Sequence, residues 1–198
     1  MVVVARRYSS CMDAKDLGDE LSKILVTEEQ LRTRLAEMAR QIEADYPADR
    51  PPLLVGVLKG AVMVMADLAR ELRFHAEMDW MAVSSYGAST KSSGVVRILK
   101  DLDTALEGRD VLIVEDIIDS GLTLAWLKEN LESRGAKSVR ICTMLRKPDA
   151  AKVEVDVAYV GFDIPTDFVV GYGLDYAERY RNLRDVGVLA PHVYAGED

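Results

Sequence analysis

The sequence predicts an α/β domain built on a twisted, parallel core sheet flanked by helices. Three observations carry that prediction. The chain has 198 residues, enough for one domain with a sizeable core. Hydrophobic residues make up 49% of it, too many for a disordered chain. The stretch from Val111 to Met144 reads strand, helix, strand, a unit of about 30 residues whose two strands run parallel.

The elements follow in order. Thr27 and Gln30 form a capping box, and Leu31, Leu35, Met38 and Ile42 follow at helical spacing. That helix ends before a connector around Pro47, Pro51 and Pro52. Leu53 to Val57 is a buried strand, and Leu58, Lys59 and Gly60 turn it into a helix with Val64, Leu68 and Leu72 on one face. Met78 to Val83 is a further strand. Ser84 to Gly94 is rich in Ser, Gly and Thr, and Val95 to Leu99 resumes a strand. The segment between them is either an ordinary connection or a lid, being longer than most hairpin loops. Val111 to Val114 is a β-branched, apolar strand, followed by a helix marked by Leu124, Leu127 and Leu131. Arg134 and Gly135 close that helix as last-turn cation and C-cap. Val139 to Met144 is the next buried strand, and Val153 to Val170 gives short strands. The tail from Asp175 onward is charged and is expected to be irregular.

Bulk properties exclude several classes. The net charge of −8, from 25 basic and 33 acidic residues, argues against a nucleic-acid surface. Cys11 and Cys142 are far apart and read as reduced structural thiols. With His75 and His192 the only histidines, a His/Cys zinc site is not expected. The opening MVVVARR has too short an apolar run for a signal peptide. The longest apolar stretch, Leu53 to Met65, is cut by Lys59 and Gly60 and does not span a membrane. A cytoplasmic protein without membrane or nucleic-acid partners is expected.

The most informative segment is VLIVEDIIDSGLT, Val111 to Thr123. A buried strand stops at two adjacent carboxylates, Glu115 and Asp116, and leads into Asp119, Ser120, Gly121, Leu122 and Thr123. In open α/β sheets, ligands bind beyond the carboxyl ends of strands. Neighbouring strand residues point to opposite faces, so both carboxylates meet one ligand only if the strand is already ending. The small residues before the next helix offer backbone N–H groups and hydroxyls to a phosphate. Taken separately, the carboxylates read as a solvated edge and Ser-Gly-x-Thr as a helix cap. In register they fit a phosphorylated sugar. No G-x-G-x-x-G and no Gly-Lys-Ser/Thr loop occurs, which disfavours dinucleotide and ATP sites.

This segment resembles the phosphoribosyl-diphosphate (PRPP) motif of the type I phosphoribosyltransferases. From about Val26 to Val188 the chain resembles the hypoxanthine-guanine phosphoribosyltransferases of the bacterial kind. The further matches are LKG at Leu58 to Gly60, SSYG at Ser84 to Gly87, LRKP at Leu145 to Pro148, and DFVVGYGLDYAERYRNL from Asp167 to Leu183. The resemblance implies the type I phosphoribosyltransferase fold in a single domain, with a core over about 26–165 and a small hood from the terminal segments, mainly 166–190. It also implies a reaction, magnesium-dependent purine salvage: hypoxanthine or guanine attacks the anomeric carbon of PRPP, pyrophosphate leaves, and IMP or GMP forms through an oxocarbenium-like transition state.

The same resemblance distributes roles. Glu115 and Asp116 match the pair facing the ribose hydroxyls, touching magnesium either directly or through sugar and water. Asp119 matches the general base at the imidazole-ring nitrogen of the purine. Asp119 to Thr123 match the 5′-phosphate loop; some relatives carry Lys where this chain has Leu122, so the loop here relies on backbone N–H groups and hydroxyls. Lys59 and Gly60 match the pyrophosphate loop, whose peptide before the Lys can be cis, and Arg181 matches a second pyrophosphate contact. Lys147 matches the donor to the purine 6-oxygen; having no acceptor, it selects against the 6-amino group of adenine. Phe168 matches the stacking aromatic, Val169 supplies backbone contacts, and Asp175 matches a carboxylate near the base edge and a magnesium ion. Ser85 and Tyr86 match the start of a flexible catalytic loop. A homodimer or homotetramer is expected. The alternatives are a PRPP-sensing regulator on the same fold and a xanthine-preferring or pyrimidine-using transferase; the first needs no base, and Lys147 does not reject xanthine.

Overall fold

The structure, a computed structural model, describes residues 12–85 and 96–195. The capping box is present: Thr27 Oγ1 accepts from the Gln30 N–H at 3.3 Å, and Gln30 Oε1 accepts from the Thr27 N–H at 2.9 Å. It opens α1 (Glu28–Asp45), which buries Leu31, Leu35, Met38 and Ile42. Then come β2 (Leu53–Leu58), α2 (Val62–Glu71), β3 (Glu77–Ser85), β4 (Val96–Lys100), β5 (Asp110–Ile118), α3 (Leu122–Ser133), β6 (Ser138–Arg146) and β7 (Tyr159–Asp163). These strands form one six-stranded sheet in the order β4-β3-β2-β5-β6-β7. Every pairing is parallel except that of β4 with β3.

The apolar run of β5 is continuous because both faces of the sheet are covered. Leu112 and Val114 join the core beneath α1 and α2, whereas Val111 and Ile113 pack with Leu124, Leu127 and Leu131 of α3. Burying each such side chain contributes roughly 1.5–3 kcal/mol. Gly135, at φ 86°, follows Arg134 in the left-handed conformation that ends α3. Cys142 lies in the first core, where burial pushes its thiol up to about 12, in keeping with an inert structural thiol.

Two expectations are corrected. β5 does not stop at Glu115 but runs on to Ile118, because Glu115, Ile117 and Ile118 still pair with Thr143, Leu145 and Arg146 of β6. The tail beyond Asp175 is not irregular throughout. Val186–Leu189 is a buried strand, β9, lying between β1 (Leu21–Val26) and β8 (Val169–Val170) in an antiparallel three-stranded sheet. Its partners come from opposite ends of the chain. A short helix, α4 (Pro191–Tyr194), follows. Among the described residues, no helix is long and apolar enough to cross a membrane.

Candidate active site

The chain passes from β2 outward to β3, then returns to place β5 on the other side of β2. A crevice is expected at such a switch point, beyond the carboxyl ends of the strands. A cleft of ≈ 290 Å³ lies there, lined by Leu58, Gly60, Val83 and the segment from Glu115 to Gly121, with Thr123 and Leu124.

Both carboxylates of β5 line this cleft although the strand continues past them. Glu115 Oε2 is buried and, among the described residues, has no hydrogen-bond partner. Burial, and then the neighbouring charge of Asp116, hold the Glu115 carboxyl well above its usual range. Asp116 is raised from 3.8 to about 6, chiefly by burial. The Ile117 N–H, donating to Asp116 Oδ1 at 2.8 Å, opposes the shift; Arg181 also opposes it, while Asp175 adds to it. Asp116 lies directly over Gly60: a Cβ on that glycine would fall 1.7 Å from Asp116 Oδ2.

Beyond Ile118 the chain leaves the sheet through Asp119 and Ser120. The Ser120 carbonyl accepts from the N–H groups of Lys152 and Val153, at 3.0 and 3.3 Å, which fixes the loop. Gly121, at φ 78°, is the N-cap of α3, and no side chain caps this helix by the usual bond. Ser120 Oγ reaches the Leu122 N–H only at 3.5 Å. Its first-turn N–H groups thus face the cleft beside the Ser120 and Thr123 hydroxyls, an arrangement suited to an anion.

Asp119 and Lys147 meet because β5 and β6 are adjacent and in register. Ile118 pairs with Arg146, and the Lys147 N–H donates to the Ile118 carbonyl at 2.9 Å. The next residue on β5 and the next on β6 therefore lie side by side, with Lys147 Nζ 3.6 Å from Asp119 Oδ2. The two differ in setting: the Asp119 side chain is 61% exposed and that of Lys147 only 9%.

A second group of charges gathers around the loop after β2. The Leu58–Lys59 peptide is cis. Lys59 Nζ donates to Glu178 Oε1 at 2.9 Å. Arg181 donates through Nη1 to the Gly173 carbonyl at 2.8 Å, pairs through Nη2 with Asp175 Oδ1 at 2.8 Å, and reaches Glu178 Oε2 at 3.3 Å. Gly173, at φ 100°, seats this segment on the loop, since a Cβ there would fall 2.2 Å from the Gly60 carbonyl oxygen. Lys59, Gly60, Asp175 and Arg181 are thus brought together beside Asp116.

Val169 and Phe168 do not line the cleft. Val169 is buried in β8, paired with Val188. Phe168 is exposed on one side and grouped with Tyr176 and Tyr194, with ring centroids 5.8 and 5.4 Å away. Ser85 ends β3, and Tyr86 lies outside the described residues. A larger cavity, ≈ 390 Å³, lies elsewhere, between α1, α2 and the segment Arg181 to Arg184. Among the described residues, no group of three His, Cys, Asp or Glu side chains is arranged to hold a metal by itself. Sequence reading missed Glu178, Gly173 and Val83. The only signal for Glu178 was a carboxylate lying between two other charged positions in DYAERYR.

Comparison with known proteins agrees with this geometry. The phosphoribosyl transferase domain family matches residues 23–177. A hypoxanthine-guanine phosphoribosyltransferase of Mycobacterium tuberculosis is 58% identical over 180 residues, covering 88% of this chain and 89% of that protein. The enzyme of that name from Bacillus subtilis is 54% identical over 175 residues, covering 88% and 97%. The crystal structure of a hypoxanthine phosphoribosyltransferase from Staphylococcus aureus superposes with a TM-score of 0.86 at 45% identity, covering 90% of this chain and 97% of that one.

Proposed function

The chain belongs to the phosphoribosyl transferase domain family, and from that premise we propose that it is a purine salvage enzyme transferring the 5-phosphoribosyl group of PRPP to hypoxanthine or guanine. The products are IMP or GMP and pyrophosphate. The observation that carries the choice of base is the Asp119–Lys147 pair beside the sugar-phosphate cleft. A ring nitrogen that must lose a proton and a 6-oxygen that must accept one hydrogen bond lie on one purine, and these two side chains answer both needs.

In the proposed reaction the imidazole-ring nitrogen forms a bond to the anomeric carbon while the bond from that carbon to pyrophosphate breaks. The electron pair leaves with pyrophosphate, and the nitrogen's proton passes to Asp119. Such a base contributes about 10²–10⁴-fold. Lys147 donates to the 6-oxygen. Glu115 and Asp116 face the ribose hydroxyls and favour positive charge growing on the ring. The uncapped first turn of α3, with Ser120 and Thr123, holds the 5′-phosphate, and Leu122 contributes its backbone. Lys59, the Gly60 backbone and Arg181 receive pyrophosphate. Phe168 stacks on the base, Val169 contacts it through backbone, and Ser85 and Tyr86 begin a loop that closes over the site.

Magnesium fits the donor set in a limited way. The orphaned Glu115 Oε2 and the raised Asp116, with Asp175 next to it, supply oxygen ligands but no complete cage. Magnesium prefers to keep water and substrate phosphate in its shell. When bound it would neutralise charge on the leaving pyrophosphate. The family reading carries with it a cytoplasmic homodimer or homotetramer.

The deciding experiment is a base panel under one condition: hypoxanthine, guanine, xanthine, adenine and orotate with PRPP and magnesium. Hypoxanthine and guanine should give monophosphate and pyrophosphate, and adenine little or none. Absence of product from every 6-oxopurine would sink the proposal.

A further inference from the structure

We propose that Glu178 is an internal stand-in for pyrophosphate, a carboxylate that occupies Lys59 and Arg181 until a diphosphate displaces it and that reclaims them as pyrophosphate leaves. The inference rests on the reading that these two cations receive pyrophosphate.

The geometry is specific. One oxygen of Glu178 accepts from Lys59 Nζ at 2.9 Å, and the other lies 3.3 Å from Arg181 Nη2 and 3.4 Å from Arg181 Nε. One carboxylate therefore bridges the two cations. The side chain is placed by a tight turn in which Tyr176 and Arg179 exchange backbone hydrogen bonds at 3.2 and 2.9 Å. The central residues, Ala177 and Glu178, have φ of 49° and 61°. Such a two-residue turn favours Asn-Gly, because a Cβ is strained at positive φ. Here neither central residue is Gly or Asn. The Glu178 N–H is further tied to Asp175 Oδ2 at 2.9 Å. Its ion pair with Lys59 is exposed, 65% and 64%, so it contributes little to stability. Strain kept where stability gains little points to function.

The consequence is competition. A diphosphate carries more charge than one carboxylate and prevails, yet its net affinity is reduced by the contacts it must break. On release, the carboxylate returns and shields the cations from recapturing pyrophosphate.

The test uses the full chain and magnesium pyrophosphate as probe, with affinity measured by calorimetry and release by a chase. Glu178→Gln should tighten pyrophosphate binding about three- to tenfold, the effect of two exposed ion pairs, and slow its release correspondingly. IMP, which does not reach Lys59 or Arg181, should bind as before. Glu178→Gly, which suits the positive φ, should give the same tightening and keeps the test open if Gln disturbs the turn. Unchanged or weaker pyrophosphate binding in both variants overturns the proposal, as does a parallel loss of IMP binding, the mark of a structural role. Lys59→Met separates the two levels. If it leaves pyrophosphate affinity unchanged, the pyrophosphate reading itself fails. If it weakens binding while the Glu178 variants do not tighten it, only the stand-in role fails.

Discussion

The two charged regions that meet at Gly60 are built on opposite terms. On β5, Glu115 and Asp116 are half-buried, pair with no cationic side chain among the described residues, and carry raised carboxyl groups. On the adjoining loop and hairpin, Lys59 and Glu178 are exposed, Arg181 and Asp175 are half-buried, and the four satisfy one another. The first region costs the fold something and is relieved by a ligand with hydroxyls or a cation. The second is already neutralised, and a ligand must break its bonds to enter. On the proposed function, one region draws the ligand in and the other sets how readily it leaves.

The largest expected effect falls at Asp119, which belongs to neither region. Asp119→Asn should lower turnover by about 10²–10⁴-fold. PRPP binding should persist, since the phosphate loop and both charged regions are intact; calorimetry alongside steady-state rates checks both halves. A wild-type rate would remove Asp119 from the chemistry. Lys147→Met should follow, with kcat/KM for hypoxanthine down about 10- to 100-fold from loss of a charged hydrogen bond. A base panel should show the preference over adenine narrowing; an unaltered ratio would mean that Lys147 does not read the 6-position.

Stability measurements sharpen the contrast itself. The folded-state carboxyl of Asp116 is raised from 3.8 to about 6. The folded protein therefore holds that proton more tightly than the unfolded chain. The resulting stability is full below pH 4, fades as pH rises through 6, and is absent at neutral pH. Asp116→Asn should accordingly stabilise the ligand-free protein in EDTA at pH 7–8 by about 1–3 kcal/mol, with the advantage shrinking towards pH 4. Urea titrations at several pH values would read this, and a flat difference would show that Asp116 is not held protonated by burial. The smallest effect is expected on the paired side. Lys59→Met should change stability by less than about 1 kcal/mol, because exposed ion pairs contribute little. A loss comparable in size to the Asp116 gain would erase the distinction between the regions.

Much of this was legible in the sequence wherever local pattern and packing agree. The capping box of α1, the Val-Leu-Ile-Val run of β5, the leucines of α3 and the Arg134-Gly135 stop all state their structure within a few residues. The end of β5 was not legible, because Ile117 and Ile118 extend the apolar pattern while the carboxylates interrupt it, and only pairing with β6 decides. β9 was missed because Val186–Leu189 is short, sits in a charged context and finds its partner at the other end of the chain. Asp119 and Lys147 were each visible as residue types, but their pairing depends on the register of two strands. Glu178 was hidden for a different reason: Ala-Glu carries none of the usual signals for a turn with positive φ.

The stack of Asp116 on Gly60 and of Gly60 on Gly173 has a mechanical meaning. Three layers meet with no side chain on Gly60 or Gly173, so the loop bearing Lys59 and the segment bearing Asp175 and Arg181 are in contact through bare backbone. Between Gly60 and Gly173 the contact is backbone on backbone, and no side chain stands between them to absorb a displacement. A push on either side is passed on, and the loop after β2 and the segment from Gly173 to Arg181 form a single jaw rather than two independent fingers. Anyone re-engineering the specificity of this site has freedom around the seam, at Lys147 or Leu122, and almost none within it.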